Sequence, residues 1–382
     1  MTVGLGAGSG RTVDPDRWAR AALSRLAEPG DQLIGARVAA LGAVAVLARI
    51  RAGTFEGERG ERYAARLPGL DVEGDLAAAR QAGARLVVPG DEEWPAPVDD
   101  LGAGRPVVLW VSGAGRLDRA ARRAVSVVGA RACTHYGERV AADLGAGLAQ
   151  RGWTVVSGAA FGIDAAAHQG ALAVDGVTVA VLAGGVDVVY PRSHDRLLAQ
   201  VRERGLVVSE LPPGSRPTRS RFLMRNRVIA ALGRGTVVVE AALRSGARRT
   251  ADDADQLSRA VMAVPGPVTS TMSAGCHEMV RTRGAALVTD TADVLDQVGE
   301  LGVDAAPQRR GDEHPQDQLD ETGMRVLDAV PLRRAAEPGS VARVAGLDVP
   351  TVLRILAELG RLGLAHQEAG RWRRTAFRRG GA

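Results

Sequence analysis

Apolar positions divide the chain into four stretches with different periods. From about Asp16 to Leu70 they recur at helical spacing, with Trp18, Ala22, Leu23 and Leu26 on one face. Pro29-Gly30 breaks the run, and a second apolar stretch follows from Leu33 to Ile50. A small all-α unit over 1–83 is expected. From about Ala84 the pattern becomes short valine-rich runs separated by helix-length segments. These runs are Leu86-Val88, Val107-Val111, Val125-Val128, Val155-Val156, Val177-Leu182, Leu206-Val208, Val237-Val239 and Val261-Val264. Strands without polar alternation are buried on both faces, as in a parallel sheet covered by helices. The prediction for 84–301 is an α/β core, an extended Rossmann-like doubly wound and mostly parallel sheet.

A polar stretch with Pro307 and Pro315 then marks a linker over 302–318. Beyond it, helical patterns at Thr322–Val330, Val341–Gly346 and Val349–Leu362 precede two short extended stretches around Gly370, Leu364–Gln367 and Arg371–Arg374. Three short helices plus a hairpin predict a C-terminal winged-helix domain over 319–382, with four stretches in all.

Composition adds little and excludes more. The chain has 382 residues, 46% of them hydrophobic, and a net charge of +5, so it is globular and suits a polyanionic partner. All 49 basic residues are arginine, since lysine is missing. A codon bias accounts for that, but it still excludes Schiff-base chemistry and the lysine-dependent P-loop. Cys133 and Cys276 form no metal-binding spacing, and the six histidines are scattered. No metal, cofactor, signal peptide or membrane span is expected, and the expected location is cytoplasmic.

Candidate chemistry lies where the strands end, because ligands of open parallel sheets bind outside the carboxyl ends of the strands. Six consecutive exits carry small or polar residues, among them Gly129-Ala130-Arg131, Ser157–Asp164, Ser209-Glu210 and Glu240 with Ser245-Gly246. The turn Ser157-Gly158-Ala159-Ala160-Phe161-Gly162 lets a backbone approach phosphate at a helix start. Any strand-to-helix turn tolerates such glycines, so alone it decides nothing. The segment Arg216 to Arg227 holds five arginines around Phe222 and Asn226 with no acid, and reads as a loop entering a helix at Val228. Arginine beside an aromatic suits phosphate neutralisation with base stacking. An enzymatic reading takes Asp164 and His168, four apart on one helix face, as a carboxylate–imidazole pair, with Glu210 and Glu240 as acid or base. No nucleophile elbow accompanies them, and support of the rim explains all four equally well, so no catalytic residue is assigned.

Val128-Gly129-Ala130-Arg131, Tyr136-Gly137, Ser157–Asp164 with His168, Tyr190-Pro191, Ser209-Glu210, Arg225-Asn226-Arg227, Glu240, Ser245-Gly246, Thr250-Ala251, Val264–Pro267 and Gly284-Ala285 occur in order. In combination they resemble the DNA-processing protein A (DprA/Smf) family over nearly the whole chain. The resemblance implies a helical N-terminal domain of the sterile-alpha-motif or helix-hairpin-helix kind, the Rossmann-like core and the winged helix. It also implies a homodimer through the core that binds and protects single-stranded DNA, loads RecA during natural transformation, and is not an enzyme. DNA-binding positions carried over are Arg131, Ser157, Gly158, Phe161, Gly162, Phe222, Arg225, Asn226 and Arg227. Gly275-Cys276-His277 stands where the family commonly has Gly-Thr-Asn, and Ala247-Arg248-Arg249 adds charge after Ser245-Gly246. Two alternatives differ in class. A nucleoside-monophosphate phosphoribohydrolase would use Gly235-Thr236 and Glu240, but lacks here its paired glycines before Gly-Thr. A duplex-binding regulator would act through the winged helix, whose end carries Arg371, Arg373, Arg374, Arg378 and Arg379.

Overall fold

The computed structural model describes residues 14–55, 57–300, 302–304 and 314–376. Most of the expected linker, and Arg378 and Arg379, lie outside them. The chain forms two compact units, Met1–Ala306 and Pro307–Ala382.

The first unit opens with α1 (Pro15–Leu26), α2 (Gln32–Leu41), α3 (Ala43–Arg51), α4 (Gly57–Ala64) and α5 (Val72–Gln81). Asp14, Asp31 and Asp71 cap α1, α2 and α5 by accepting from free N–H groups of the first turn. Strands β1 (Ala84–Val87) and β2 (Leu109–Ser112) follow, then α6 (Leu117–Arg122), β3 (Ala124–Val128), α7 (His135–Gln150), β4 (Thr154–Ser157), α8 (Ile163–Ala173) and β5 (Thr178–Val181). The rest of the unit is α9 (Asp195–Arg204), β6 (Leu206–Ser209), α10 (Arg219–Leu232), β7 (Gly235–Val238), α11 (Gly246–Gln256), β8 (Ala260–Ala263), α12 (Ala274–Arg283), β9 (Ala286–Leu287) and α13 (Thr291–Val298).

The nine strands form one sheet in the order β1-β2-β6-β5-β4-β3-β7-β8-β9. Every pair from β6 to β9 is parallel. Strand β2 runs antiparallel to β6, and β1 antiparallel to β2. The sheet is therefore the mostly parallel, doubly wound one that its continuous valine runs demand. Val125 and Val127 on β3 join one apolar layer with Leu144 and Leu148 of α7, while Val128 joins another with Val228 and Ile229 of α10. Burying such a side chain stabilises the fold by roughly 1.5–3 kcal/mol. Leu23, Leu26, Ile34 and Leu47 of the N-terminal helices share a layer with Trp110, Ala180 and Val207 of the sheet. The core is thus continuous across the expected boundary at 83/84.

The second unit has α14 (Glu321–Ala329), α15 (Pro338–Ala345), α16 (Val349–Arg361) and a hairpin of β10 (Ala365–Glu368) and β11 (Arg371–Arg374). Its core gathers Val326, Leu327, Val341, Ile355, Leu356, Leu359 and Trp372. Three helices and a hairpin are the elements expected there.

Candidate nucleic-acid interface

The chain steps from β3 through β4 and β5 to β6 in one direction, then returns to lay β7 on the other side of β3. Loops that follow β3 and β7 therefore diverge to opposite faces and leave a crevice at their carboxyl ends. The first of these loops is Gly129-Ala130-Arg131. A Cβ on Gly129 would lie 2.5 Å from Ile163, so only glycine lets the start of α8 pack there. Gly162 takes a φ of +77°, and its Cβ would lie 2.3 Å from the Ala130 carbonyl oxygen. The N–H of Ile163 donates to that carbonyl at 3.2 Å, and the N–H of Ala130 donates to the Glu240 carbonyl at 2.7 Å. Three strand exits are thereby joined by backbone alone.

Beneath them lies a buried polar layer. Arg225 is 6% exposed; its Nη1 donates to the Gly158 carbonyl at 2.8 Å and also to the Val181 carbonyl. A Cβ at Gly158 would lie 2.2 Å from that nitrogen, so the missing side chain makes room for the guanidinium. Burial lowers the Arg225 pKa to about 10, against the favourable pull of Asp164 and with a push from Arg131. Asp164 accepts from the N–H groups of Gly158 and Ala160 at 3.2 and 3.4 Å. Burial raises its pKa, outweighing Arg225, those two N–H groups and Arg131.

His168 does not meet Asp164. Its Nδ1 lies 2.6 Å from Thr178 Oγ1, whose own proton goes to the Val155 carbonyl at 2.7 Å, so Nδ1 carries the hydrogen. Burial, then Arg225 and His194, push its pKa down to about 3, so the ring is neutral. Glu240 holds the start of α7, accepting from Thr134 N and Thr134 Oγ1 at 2.8 and 2.6 Å. Glu210 accepts from Arg227 Nη2 at 2.6 Å, and burial raises its pKa against that partner. Arg227 passes over Gly30, where a Cβ would lie 2.6 Å from its Nε. Ser157 turns inward and donates to the Val127 carbonyl at 2.6 Å. Asn226 is buried, with Nδ2 3.5 Å from the Gly246 carbonyl.

The outer surface is made by different residues. The Arg216–Arg227 segment does not stay a loop up to Val228: α10 begins at Arg219, capped by Thr218 Oγ1 accepting from Arg221 N at 3.4 Å. Arginine, leucine and methionine propagate a helix once Pro217 is passed. That helix turns Arg225 inward and leaves Leu223 half exposed. Phe222 is stacked under Arg131, 4.7 Å from its ring centre, and Tyr190 packs beside it at 5.4 Å. Phe161, 49% exposed, meets His194 edge-on at 4.9 Å. The crevice of about 140 Å³, lined by Gly129, Arg131, Asp164, Arg225, Asn226 and Thr250, opens into a groove of about 900 Å³. Arg131, Arg219 and Arg244 line that groove, are exposed, and have no carboxylate within ion-pair distance among the described residues. Arg249 also lines it, 3.1 Å from Asp253.

Arg131, Phe161 and Phe222 of the sequence-derived site thus reach the surface, Gly158 and Gly162 contribute backbone, and Ser157, Arg225, Asn226 and Arg227 lie in the supporting layer. Arg219, Arg244 and Tyr190 join the groove although none was among the DNA-binding positions, Tyr190 having been quoted only within the family pattern. Arg219 sits within the basic run already noted, and Arg244 follows the β7 exit, so strand order was the available signal.

Residues 85–299 match the sequence profile of a family described as DNA recombination-mediator protein A. A putative DNA processing protein DprA of Mycobacterium tuberculosis is 47% identical over 371 residues, 94% of this chain and 95% of that protein. The chain belongs to the DNA recombination-mediator protein A family. Protein Smf of Escherichia coli is 37% identical over 76% of this chain and 78% of its own length. The DprA structure from Streptococcus pneumoniae superposes with a TM-score of 0.63 at 30% identity, covering 75% of this chain and 99% of that one. A Helicobacter pylori DNA processing protein A, described for its single-stranded DNA binding mode, gives 0.50 at 25% identity over 56% and 94%.

For a DprA-family chain, the departure at Cys276-His277 is absorbed structurally. Cys276 is buried, its Sγ 3.5 Å from the Val238 carbonyl, and burial pushes the thiol up to about 11. His277 Nε2 lies 3.0 Å from the Gly266 carbonyl. Neither supplies an activated nucleophile. Among the described residues no three His, Cys, Asp or Glu side chains cluster as a metal site, and no single helix is long and apolar enough to cross a membrane.

Proposed function

We propose that this chain is a recombination mediator that binds single-stranded DNA along the groove between α10 and the β7 exit. The observation that carries this reading is the set of exposed arginines, Arg131, Arg219 and Arg244, that have no acidic partner among the described residues and surround Phe222 and Tyr190. Arginines at several points along a groove neutralise successive phosphates. Aromatic faces favour an unpaired strand, because bases locked in a duplex cannot turn onto them. Arg225 and Arg227 serve this surface from below, by fixing the turn and helix that bear it, while Gly158 leaves the space that Arg225 fills and Gly162 lets the turn close on the Ala130 carbonyl. Protection of incoming strands, loading of RecA, a homodimer through the first unit, a winged-helix role for the second and a cytoplasmic location complete the proposal, and no catalytic step is assigned.

Fluorescence anisotropy of the full chain with a labelled oligonucleotide, single-stranded and then annealed, tests it. Preferential single-strand binding that weakens in Arg219→Ala and Arg244→Ala is expected. Equal affinity for duplex, or indifference to both substitutions, overturns it.

A further inference from the structure

The turn from Ser157 to Gly162 leaves its aromatic side chain outside. Ala159 takes a φ of +53°, a backbone conformation that disfavours a residue with a Cβ. His194 Nδ1 lies 3.1 Å from the Ala159 carbonyl and ties the turn to the loop between β5 and α9. The same imidazole meets Phe161 edge-on at 4.9 Å, which fixes the ring while half of it stays exposed. A ring already oriented in this way offers a stacking surface at little further ordering cost.

The loop that carries His194 also carries Tyr190, whose ring packs against Phe222. One short loop therefore joins two aromatic pairs, Tyr190 with Phe222 at the groove and His194 with Phe161 beyond it. Strand order makes them neighbours on the rim, because the exits of β4 and β5 follow that of β3. At roughly 4.8 Å per strand, β5 lies only about 10 Å from β3. Uncommitted positive charge flanks the second pair. Arg192 and Arg196 are exposed and have no carboxylate within ion-pair distance among the described residues, the intervening Asp195 included. Later in α9 the arginines are engaged, Arg202 Nη2 donating to the Val186 carbonyl at 2.8 Å and Arg204 pairing with Asp175. An unpaired strand uses both features together, since its phosphates take the arginines and its splayed bases take the ring. A duplex keeps its bases stacked on one another, and continuity with the groove favours the strand over an acidic peptide.

We propose that Phe161, His194, Arg192 and Arg196 form a second station for the same single strand, which leaves the groove past Tyr190 and crosses the β5–α9 loop. This rests on the single-strand reading of the groove and lengthens the footprint assigned there. The groove holds a strand by itself, and the second station engages only a strand long enough to reach it.

Anisotropy of the full chain with labelled oligothymidylates of about 4 and about 12 nucleotides, lengths within the usual range of single-strand site sizes, tests the footprint. At about −0.7 per phosphate contact, the three groove arginines give the short strand a salt slope of about −2.1, and the two added arginines give the long strand about −3.5. The double variant Arg192→Ala with Arg196→Ala is expected to return the long strand to about −2.1 and to weaken it about 25-fold at ~100 mM salt, while the short strand binds as before. Arg219→Ala weakens both lengths. Because Arg192 and Arg196 are exposed, an unchanged melting temperature identifies the folded variant. The proposal is overturned if the double variant leaves the long strand unaffected, or if it weakens short and long strands equally, which assigns both arginines to the groove. In either case a wild type that prefers single strands and weakens in Arg219→Ala leaves the groove reading standing. A wild type with no preference for single strands of either length overturns the groove reading and the second station with it.

Discussion

The division between groove arginines and buried arginines makes a quantitative prediction. Arg131, Arg219 and Arg244 are exposed and have no carboxylate partner among the described residues, so each is available to neutralise one phosphate. For a single strand the slope of log affinity against log salt is about −0.7 per phosphate contact, which gives about −2.1 for three. Raising salt from ~50 to ~200 mM then weakens binding about 18-fold. Removing any one of the three lowers the slope to about −1.4, the same salt change costs about sevenfold, and affinity at ~100 mM falls about fivefold. Arg249, shared with Asp253, adds at most one further contact. Anisotropy titrations at four salt concentrations on the wild type, the three single alanine variants and Arg225→Ala provide the comparison. Arg225 donates to two carbonyls and faces Asp164, so its loss is expected to lower stability and leave the slope of the folded fraction near −2.1. The reasoning fails if Arg219→Ala and Arg244→Ala keep the wild-type slope, or if Arg225→Ala lowers it as much as they do.

Other consequences concern the supporting layer. Arg225→Met leaves the Asp164 carboxyl without its counter-charge and is expected to cost about 3–5 kcal/mol, read by urea unfolding; a loss below about 1 kcal/mol contradicts the assignment. His168 has a folded pKa of about 3 against an ordinary 6.5. Its contribution is therefore complete above pH 6.5 and is lost as pH falls toward 3, at about 1.4 kcal/mol per pH unit. The raised Asp164 and Glu210 act with the opposite sign, so His168→Asn should flatten the acid limb, and parallel wild-type and variant curves would refute the assignment. Gly162→Ala must hold an L side chain at φ +77° with its Cβ 2.3 Å from a carbonyl oxygen, and should lose both thermal stability and DNA binding. Phe161→Ala, at a half-exposed ring, should weaken single-strand binding by roughly 1–3 kcal/mol with an unchanged melting temperature.

Much of the frame was legible because it is written locally. Continuous valine runs specify strands covered on both faces, and β3 to β8 form where those runs lie. Glycines after strands mark turns, and once six exits share a direction they must share a rim. The roles within the Phe222–Arg227 stretch were not legible, because two long-range facts decide them. Helix α10 starts at Arg219, which puts Leu223 and Arg225 on different sides of one turn. Gly158, 67 residues away in sequence, leaves a space that Arg225 fills. Counting charge along the segment gives every arginine the same standing, although Arg219 faces solvent and Arg225 is 94% covered.

Gly158 also alters the meaning of the glycine-rich turn. Glycine after a strand is commonly read as room for a ligand's phosphate. Here the volume that a Cβ at Gly158 would occupy is taken by a guanidinium of the same chain, as Arg227 takes the volume above Gly30. The positive charge of Arg225 stays beneath the turn, balanced by Asp164 and two carbonyls, and cannot exchange with solvent cations as a groove arginine does. It shapes the surface without adding to the counterions that a bound strand releases. Arg225 and Arg219 therefore separate in experiment: changing the first moves stability, and changing the second moves salt dependence.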